Sequence, residues 1–238
     1  MKYDAVIFDL FGTLARGAPD EEYREFLRAM AGAIGADLNK FRAAWLTEEM
    51  RDLRAKGRLK TPGAIIEEIC RRLDLSPERT AVEAAVRIRL DTERAWLEPR
   101  PDAVETLTEL RRMGLKVALM SDCTAEVPIL WAELPFAALF DEVLLSCELG
   151  LRKPDPKFYA LACERLDVSP GRCLFVGDGA SSELTGAMRA GMDAVLLAAP
   201  GHADNVLHRL DAHNWTGRRI ASLNEVLQLL REPSARGE

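Results

Sequence analysis

Several things are scarce in this chain of 238 residues, and each scarcity excludes something. No run of apolar residues approaches the roughly 18 that a membrane-spanning helix needs. Lys and Arg (32) are outnumbered by Asp and Glu (38), giving a net charge of -6, and no basic stretch offers a footprint for nucleic acid. The five cysteines (Cys70, Cys123, Cys147, Cys163 and Cys173) are scattered and form no CxxC pair. That argues against a zinc site and for reduced thiols in a cytoplasmic protein, where cysteine serves as a small core residue. The three histidines (His202, His208 and His213) crowd into one late polar stretch without ligand spacing. The chain begins Met1-Lys2-Tyr3-Asp4 and runs directly into an apolar strand, which leaves no room for a cleaved leader. The expectation is a cytoplasmic monomer or homodimer acting on a small molecule, with no nucleic-acid or membrane partner.

What is present begins with that strand. Val6-Ile7-Phe8-Asp9-Leu10-Phe11-Gly12-Thr13-Leu14 is a short β-prone run that stops on a carboxylate and then turns at a glycine. Such a run reads as a buried strand of a parallel sheet, with Asp9 at its carboxyl end, where open α/β sheets place ligands. Asp9 also reads as an ordinary turn residue. From about 20 to 95 the pattern is helical: Tyr23, Phe26, Leu27 and Met30; Phe41, Trp45 and Leu46; Ile65, Ile66, Ile69 and Leu73; Val82, Val86 and Leu90. Thr61-Pro62 and Ser76-Pro77 read as helix starts, the latter with Ser76 as N-cap. Four helices in this stretch make a small bundle inserted into an α/β chain, serving either as a lid or as a purely structural insertion.

After Pro99 strands and helices alternate again. Strands are expected at Leu115–Met120, Glu142–Ser146, Arg172–Val176 and Asp193–Leu197, with a last short one from Ile220. Helices are expected at Ala103–Met113, Lys157–Leu166 and Ser182–Ala190, a short one near Ile129–Leu134, and one capped by Ser222 running to Leu230. The fold class is therefore α/β: a Rossmann-like, doubly wound parallel sheet with an inserted helical-bundle cap domain. The core domain comprises residues 1–16 and 97–238, the cap 17–96. The tail Glu232–Glu238 is charged, without apolar anchors, and is expected to be mobile.

Three of these strands end in polar groups: Asp9, Ser121 and Asp178. A loop adds Lys153. On these residues the chain resembles the haloacid dehalogenase-like hydrolase superfamily over nearly its full length. Phe8-Asp9-Leu10-Phe11-Gly12-Thr13-Leu14 is similar to that family's first motif. Ser121 matches the second, Lys153-Pro154-Asp155 the third, and Gly177-Asp178-Gly179 with Glu183 the acidic fourth. The resemblance implies that Asp9 is a nucleophile forming a covalent aspartyl intermediate, with Ser121 and Lys153 catalytic beside it. It also implies a Mg²⁺ held by Asp9, Asp178 and the backbone carbonyl of Phe11. Glu183 would orient a metal-bound water or Lys153, and Thr13 offers a hydroxyl and an N–H beside Asp9. Asp122 either caps a turn or reaches the ligand. Ser182 reads as a helix N-cap, Tyr159 as core packing, and nothing near Cys123 marks it as reactive. Arg51, Arg54 and Arg58 read as solvated cap residues, while Arg16, which leaves the first loop directly, is a candidate for substrate contact.

One position departs from the family. Its phosphatases carry a second Asp two residues after the nucleophile to protonate the leaving oxygen, and Phe11 stands there. General acid–base help is typically worth about 10²–10⁴-fold. Three readings follow: a phosphoryl hydrolase with a substitute acid, or one whose leaving groups need no proton; a metal-independent 2-haloacid dehalogenase, whose halide leaves unprotonated; or a non-catalytic binder of phosphorylated ligands. The acidic fourth motif favours the first.

Overall fold

A computed structural model describes residues 2–199 and 209–231. Its centre is a sheet of six parallel strands: β1 (Ala5–Phe8), β2 (Lys116–Ser121), β3 (Glu142–Leu145), β4 (Cys173–Gly177), β5 (Asp193–Leu197) and β6 (Arg219–Ile220), in the order β3-β2-β1-β4-β5-β6. β1 is flanked on both sides, Phe8 lying beside Leu119 of β2 and Val176 of β4. All four β1 residues are fully buried, as befits a strand covered on both faces.

Alternation along β1 separates two apolar layers. Val6 and Phe8 join Leu107, Leu110, Val226 and Leu230 on one face, from helices α6 (Ala103–Arg112) and α12 (Asn224–Arg231). Ala5 and Ile7 join Phe158, Tyr159, Leu184 and Ala187 on the other, from α9 (Pro156–Leu166) and α10 (Glu183–Arg189). Each large apolar side chain so buried contributes about 1.5–3 kcal/mol. The expected fold class is the one observed, and the strand order reverses between β1 and β4, where a crevice opens at the carboxyl ends.

Between β1 and α6 lie five helices, where the apolar spacing predicts four: α1 (Asp20–Ala33), α2 (Leu38–Trp45), α3 (Glu48–Ala55), α4 (Pro62–Arg72) and α5 (Arg79–Trp96). Thr47, whose hydroxyl accepts from Met50 N, starts α3 where the pattern through Leu46 reads as continuous. These helices enclose a third apolar cluster around Phe26, Met30, Phe41, Trp45, Ile65 and Ile69.

Thr61 caps α4, but other helix starts differ from expectation. The Ser76 reading fails because α5 begins only at Arg79, with no side-chain cap. Ser182 precedes α10 without a capping bond, because its left-handed backbone (φ 52°) does not present the hydroxyl to the helix N–H groups. Ser222 sends its hydroxyl to Glu225, while Asp102, 121 residues earlier, accepts from Leu223 N at 2.7 Å at the start of α12. His202, His208 and the tail after Arg231 lie outside the described residues. Among the described residues no helix is long and apolar enough to cross a membrane.

Candidate active site

The carboxyl ends of β1, β2 and β4 converge on one buried polar centre. Asp9 follows β1 immediately and is tied to it by its N–H, which donates to Val176 O at 2.9 Å. The chain then reverses tightly: Leu10 O accepts from the N–H groups of Thr13, Leu14 and Ala15. Gly12 sits in that turn at φ 75°, and a Cβ there would collide with the Asp178 carboxylate. Glycine is therefore required twice, by the turn and by the close approach.

Both Asp9 oxygens are engaged. Thr13 Oγ1 donates to Oδ2 at 3.1 Å, and the Lys153 ammonium donates to Oδ1. Lys153, from the loop before α9, also donates to Glu183 Oε2 at 2.5 Å. Glu183 opens α10, and its other oxygen accepts from Gly179 N at 2.9 Å. A carboxylate at a helix start also complements the helix dipole. Glu183 is thus in direct contact with Lys153. Tyr159, expected as core packing, is buried and also donates its hydroxyl to Glu183 O at 2.9 Å, which anchors the start of α10.

Asp178 follows β4. Its Oδ1 accepts from Ala180 N at 3.0 Å, and Arg209 Nε lies 3.1 Å from Oδ2 while donating to the Asp178 carbonyl. Asp9, Asp178 and Glu183 each offer an oxygen within 4.8 Å of the others. Burial, and then the Asp9 charge, push the Asp178 carboxyl up to about 6, against the pull of Arg209. Burial and Asp9 likewise push Glu183 well above the usual carboxylate range, opposed by Lys153. Burial alone would depress the Lys153 ammonium, but Asp9 and Glu183 overcome it and hold its pKa well above normal.

Ser121 ends β2, and its buried hydroxyl has no hydrogen-bond partner among the described residues. A buried polar group left unpaired is costly, so this hydroxyl is poised for a ligand. Asp122 braces the lysine loop, its Oδ1 accepting from Lys153 N at 2.9 Å, while its buried Oδ2 has no hydrogen-bond partner among the described residues. Burial raises its pKa. Phe11 is half-buried between the core and the helical insertion.

The structure therefore brings together Asp9, Thr13, Lys153, Asp178 and Glu183, with Ser121 on the neighbouring strand end. Three acidic groups outnumber the two cations, Lys153 and Arg209, and all the donors are oxygen. That set fits a hard cation such as Mg²⁺, for which Asp9, Asp178 and the Phe11 carbonyl remain the expected ligands. Arg209 was missed by sequence reasoning, since it lies in an irregular stretch with no periodic signal. Among the cap arginines, Arg16 pairs with Glu22 at 2.7 Å and Arg51 with Glu48 at 3.1 Å, both exposed. Arg54, expected on a solvated face, is buried. It lies over the Trp45 ring, a placement that helix spacing alone does not reveal.

Comparison with known proteins places the chain in context. The family model described as haloacid dehalogenase-like hydrolase matches residues 3–191. A glyceraldehyde 3-phosphate phosphatase of Methanopyrus kandleri is 33% identical over 206 residues, covering 84% of this chain and 86% of its own length. An (S)-2-haloacid dehalogenase 4A of Burkholderia cepacia is 39% identical over 110 residues, 44% of this chain and 46% of that protein. The solved structure of a HAD-like family hydrolase from Porphyromonas gingivalis superposes with a TM-score of 0.69 at 20% identity, covering 98% of this chain and all of that one.

Proposed function

Given that the chain belongs to the haloacid dehalogenase-like hydrolases, we propose that it is a Mg²⁺-dependent phosphoryl hydrolase acting through an aspartyl intermediate on a small phosphorylated metabolite. The observation that carries this reading is the buried meeting of Asp9, Asp178 and Glu183 around Lys153. A dehalogenase expels a halide from a carboxylate substrate, which two further acids beside the nucleophile would repel unless a cation intervened. A phosphoryl hydrolase needs them, because the transferring group carries charge that a cation and donors must balance.

In this reading Asp9 attacks phosphorus and the alcohol or acid departs. Water then cleaves the aspartyl phosphate and restores the carboxylate. Lys153 holds Asp9 and stands against the phosphoryl oxygens, Glu183 keeps Lys153 in place, and the free Ser121 hydroxyl donates to one of those oxygens. Thr13 orients the attacking carboxylate. Asp9, Asp178 and the Phe11 carbonyl would hold Mg²⁺, which when bound neutralises charge on the phosphoryl group. Residues 17–96 would act as a cap that excludes water from this centre.

Phe11 cannot donate a proton, which suits acyl or aryl phosphates or a substitute acid. The same residue favours a second reading, 2-haloacid dehalogenase, because a halide leaves unprotonated. Parallel incubation with p-nitrophenyl phosphate, with and without Mg²⁺, and with 2-chloropropionate separates the two. Phosphate release that EDTA stops is expected, whereas halide release that ignores EDTA would overturn the proposal.

A further inference from the structure

Beside the acidic centre lies a cavity of about 240 Å³ between the inserted helices and the sheet. Its floor is Phe11 and Asp122–Thr124, from the loops that follow Asp9 and Ser121. Its walls are largely aromatic: Tyr23, Phe26, Trp45 and Trp96, whose rings pack with centroids 5.3 to 6.0 Å apart. Two cations, Arg54 and Arg89, and two acids, Glu93 and Asp122, line it as well. Arg89 is engaged, pairing with Glu126 at 2.5 Å. Arg54 is not.

Arg54 is only 7% exposed, and its guanidinium lies 3.9 Å from the Trp45 ring centre. Among the described residues its one hydrogen bond runs from Nη1 to Trp45 O at 3.0 Å. No carboxylate pairs with it among the described residues, although buried arginines ordinarily have such a partner. Burial lowers its pKa to about 10, which leaves it charged at neutral pH. An arginine has five N–H donors in a planar fork. With Nη1 committed, the Nε and Nη2 edge remains, and that edge matches the two oxygens of a carboxylate.

We propose that this cavity receives the part of the substrate left after phosphoryl transfer, and that this part joins an apolar or aromatic body to a carboxylate bound by Arg54. The proposal rests on the phosphoryl-hydrolase reading for the word "substrate", but the subsite itself does not depend on it. The aromatic walls take the body, and stacking against Trp45 keeps the guanidinium flat and oriented. Arg54 belongs to α3, so binding there also ties the inserted helices to the sheet loops.

The test uses the full chain with Mg²⁺ and reads the fluorescence of the cavity tryptophans. Phenylacetate and its uncharged isostere phenylacetamide are titrated separately. A charge-assisted bidentate contact predicts that the acid binds about tenfold tighter or more. Arg54→Gln is expected to abolish that preference and Arg54→Lys to keep part of it. Should Arg54→Gln fail to fold, the wild-type ratio and the Arg54→Lys ratio decide. Equal binding of acid and amide, binding of neither, or a preference that survives in folded Arg54→Gln would overturn the proposal. Hydrolysis of p-nitrophenyl phosphate is followed in parallel. Absence of an acid preference in the wild type with Mg²⁺-dependent hydrolysis intact removes the subsite alone, and a wild-type acid preference without Mg²⁺-dependent hydrolysis removes the hydrolase reading alone.

Discussion

At the scale of single residues, Phe11 carries the most consequence. It lies two positions after the proposed nucleophile, half-buried on the floor of the cavity, with no proton to offer. Phe11→Asp would return an acid to that place. The expected result is a gain of about tenfold or more in alkyl phosphate hydrolysis, within the range general acids supply, measured as kcat/KM against wild type. Unchanged rates in a folded variant would mean that another group already donates the proton. Glu93, on the same cavity, makes a different prediction. Burial, helped by Glu126 and opposed by Arg89, pushes its carboxyl up to about 8, against about 4.3 in an unfolded chain. Between those values the folded state binds the proton that the unfolded state releases, so this group favours folding below about pH 4.3 and loses that contribution as pH rises toward 8. Thermal midpoints should therefore fall across that window, and Glu93→Gln should flatten the slope. An identical slope in the variant would contradict the assignment. Asp9, Ser121, Lys153 and Asp178 could be read from sequence because each follows a strand or a turn signal. Arg54, Glu93 and Arg209 could not, because their roles come from what packs against them in three dimensions, as Trp45 does against Arg54 and Asp178 against Arg209.

Among the elements, the strands were legible, while the starts of α5, α10 and α12 were not. A buried parallel strand announces itself by a short apolar run, and β5 spans the residues so expected. Helix caps depend on local φ and ψ and on distant partners, as Asp102 at the start of α12 illustrates. The entry to α10 shows the cost of ignoring backbone conformation. Ser181 and Ser182 both lie in the left-handed region, at φ 53° and 52°, and Ser182 makes no capping bond that would offset the strain. A left-handed residue with a Cβ costs about 1–2 kcal/mol, and part of the gain from removing it is lost to glycine's greater freedom when unfolded. Ser182→Gly should accordingly stabilise the protein by about 0.5–1 kcal/mol in urea denaturation. A loss of stability would show that the hydroxyl does more than its geometry indicates.

At the scale of the whole molecule, one feature of the architecture governs the site. β1 sits in the middle of the sheet, so the residue after it meets the ends of both neighbouring strands. That alone accounts for bringing positions 9, 121 and 178 to one edge, and the alternation of strands with helices was enough to anticipate it. The inserted helices were legible as a bundle, but their count and the aromatic cavity they close over the sheet depend on packing that periodicity does not encode. In the proposed reaction Asp9 becomes covalently phosphorylated during turnover. Acid quenching of the enzyme during p-nitrophenyl phosphate hydrolysis, followed by peptide mass spectrometry, tests it directly. The account predicts a phosphoryl adduct on the peptide containing Asp9 when Mg²⁺ is present, and none with EDTA or in Asp9→Asn. Turnover without that adduct, or turnover that persists in Asp9→Asn, would contradict it.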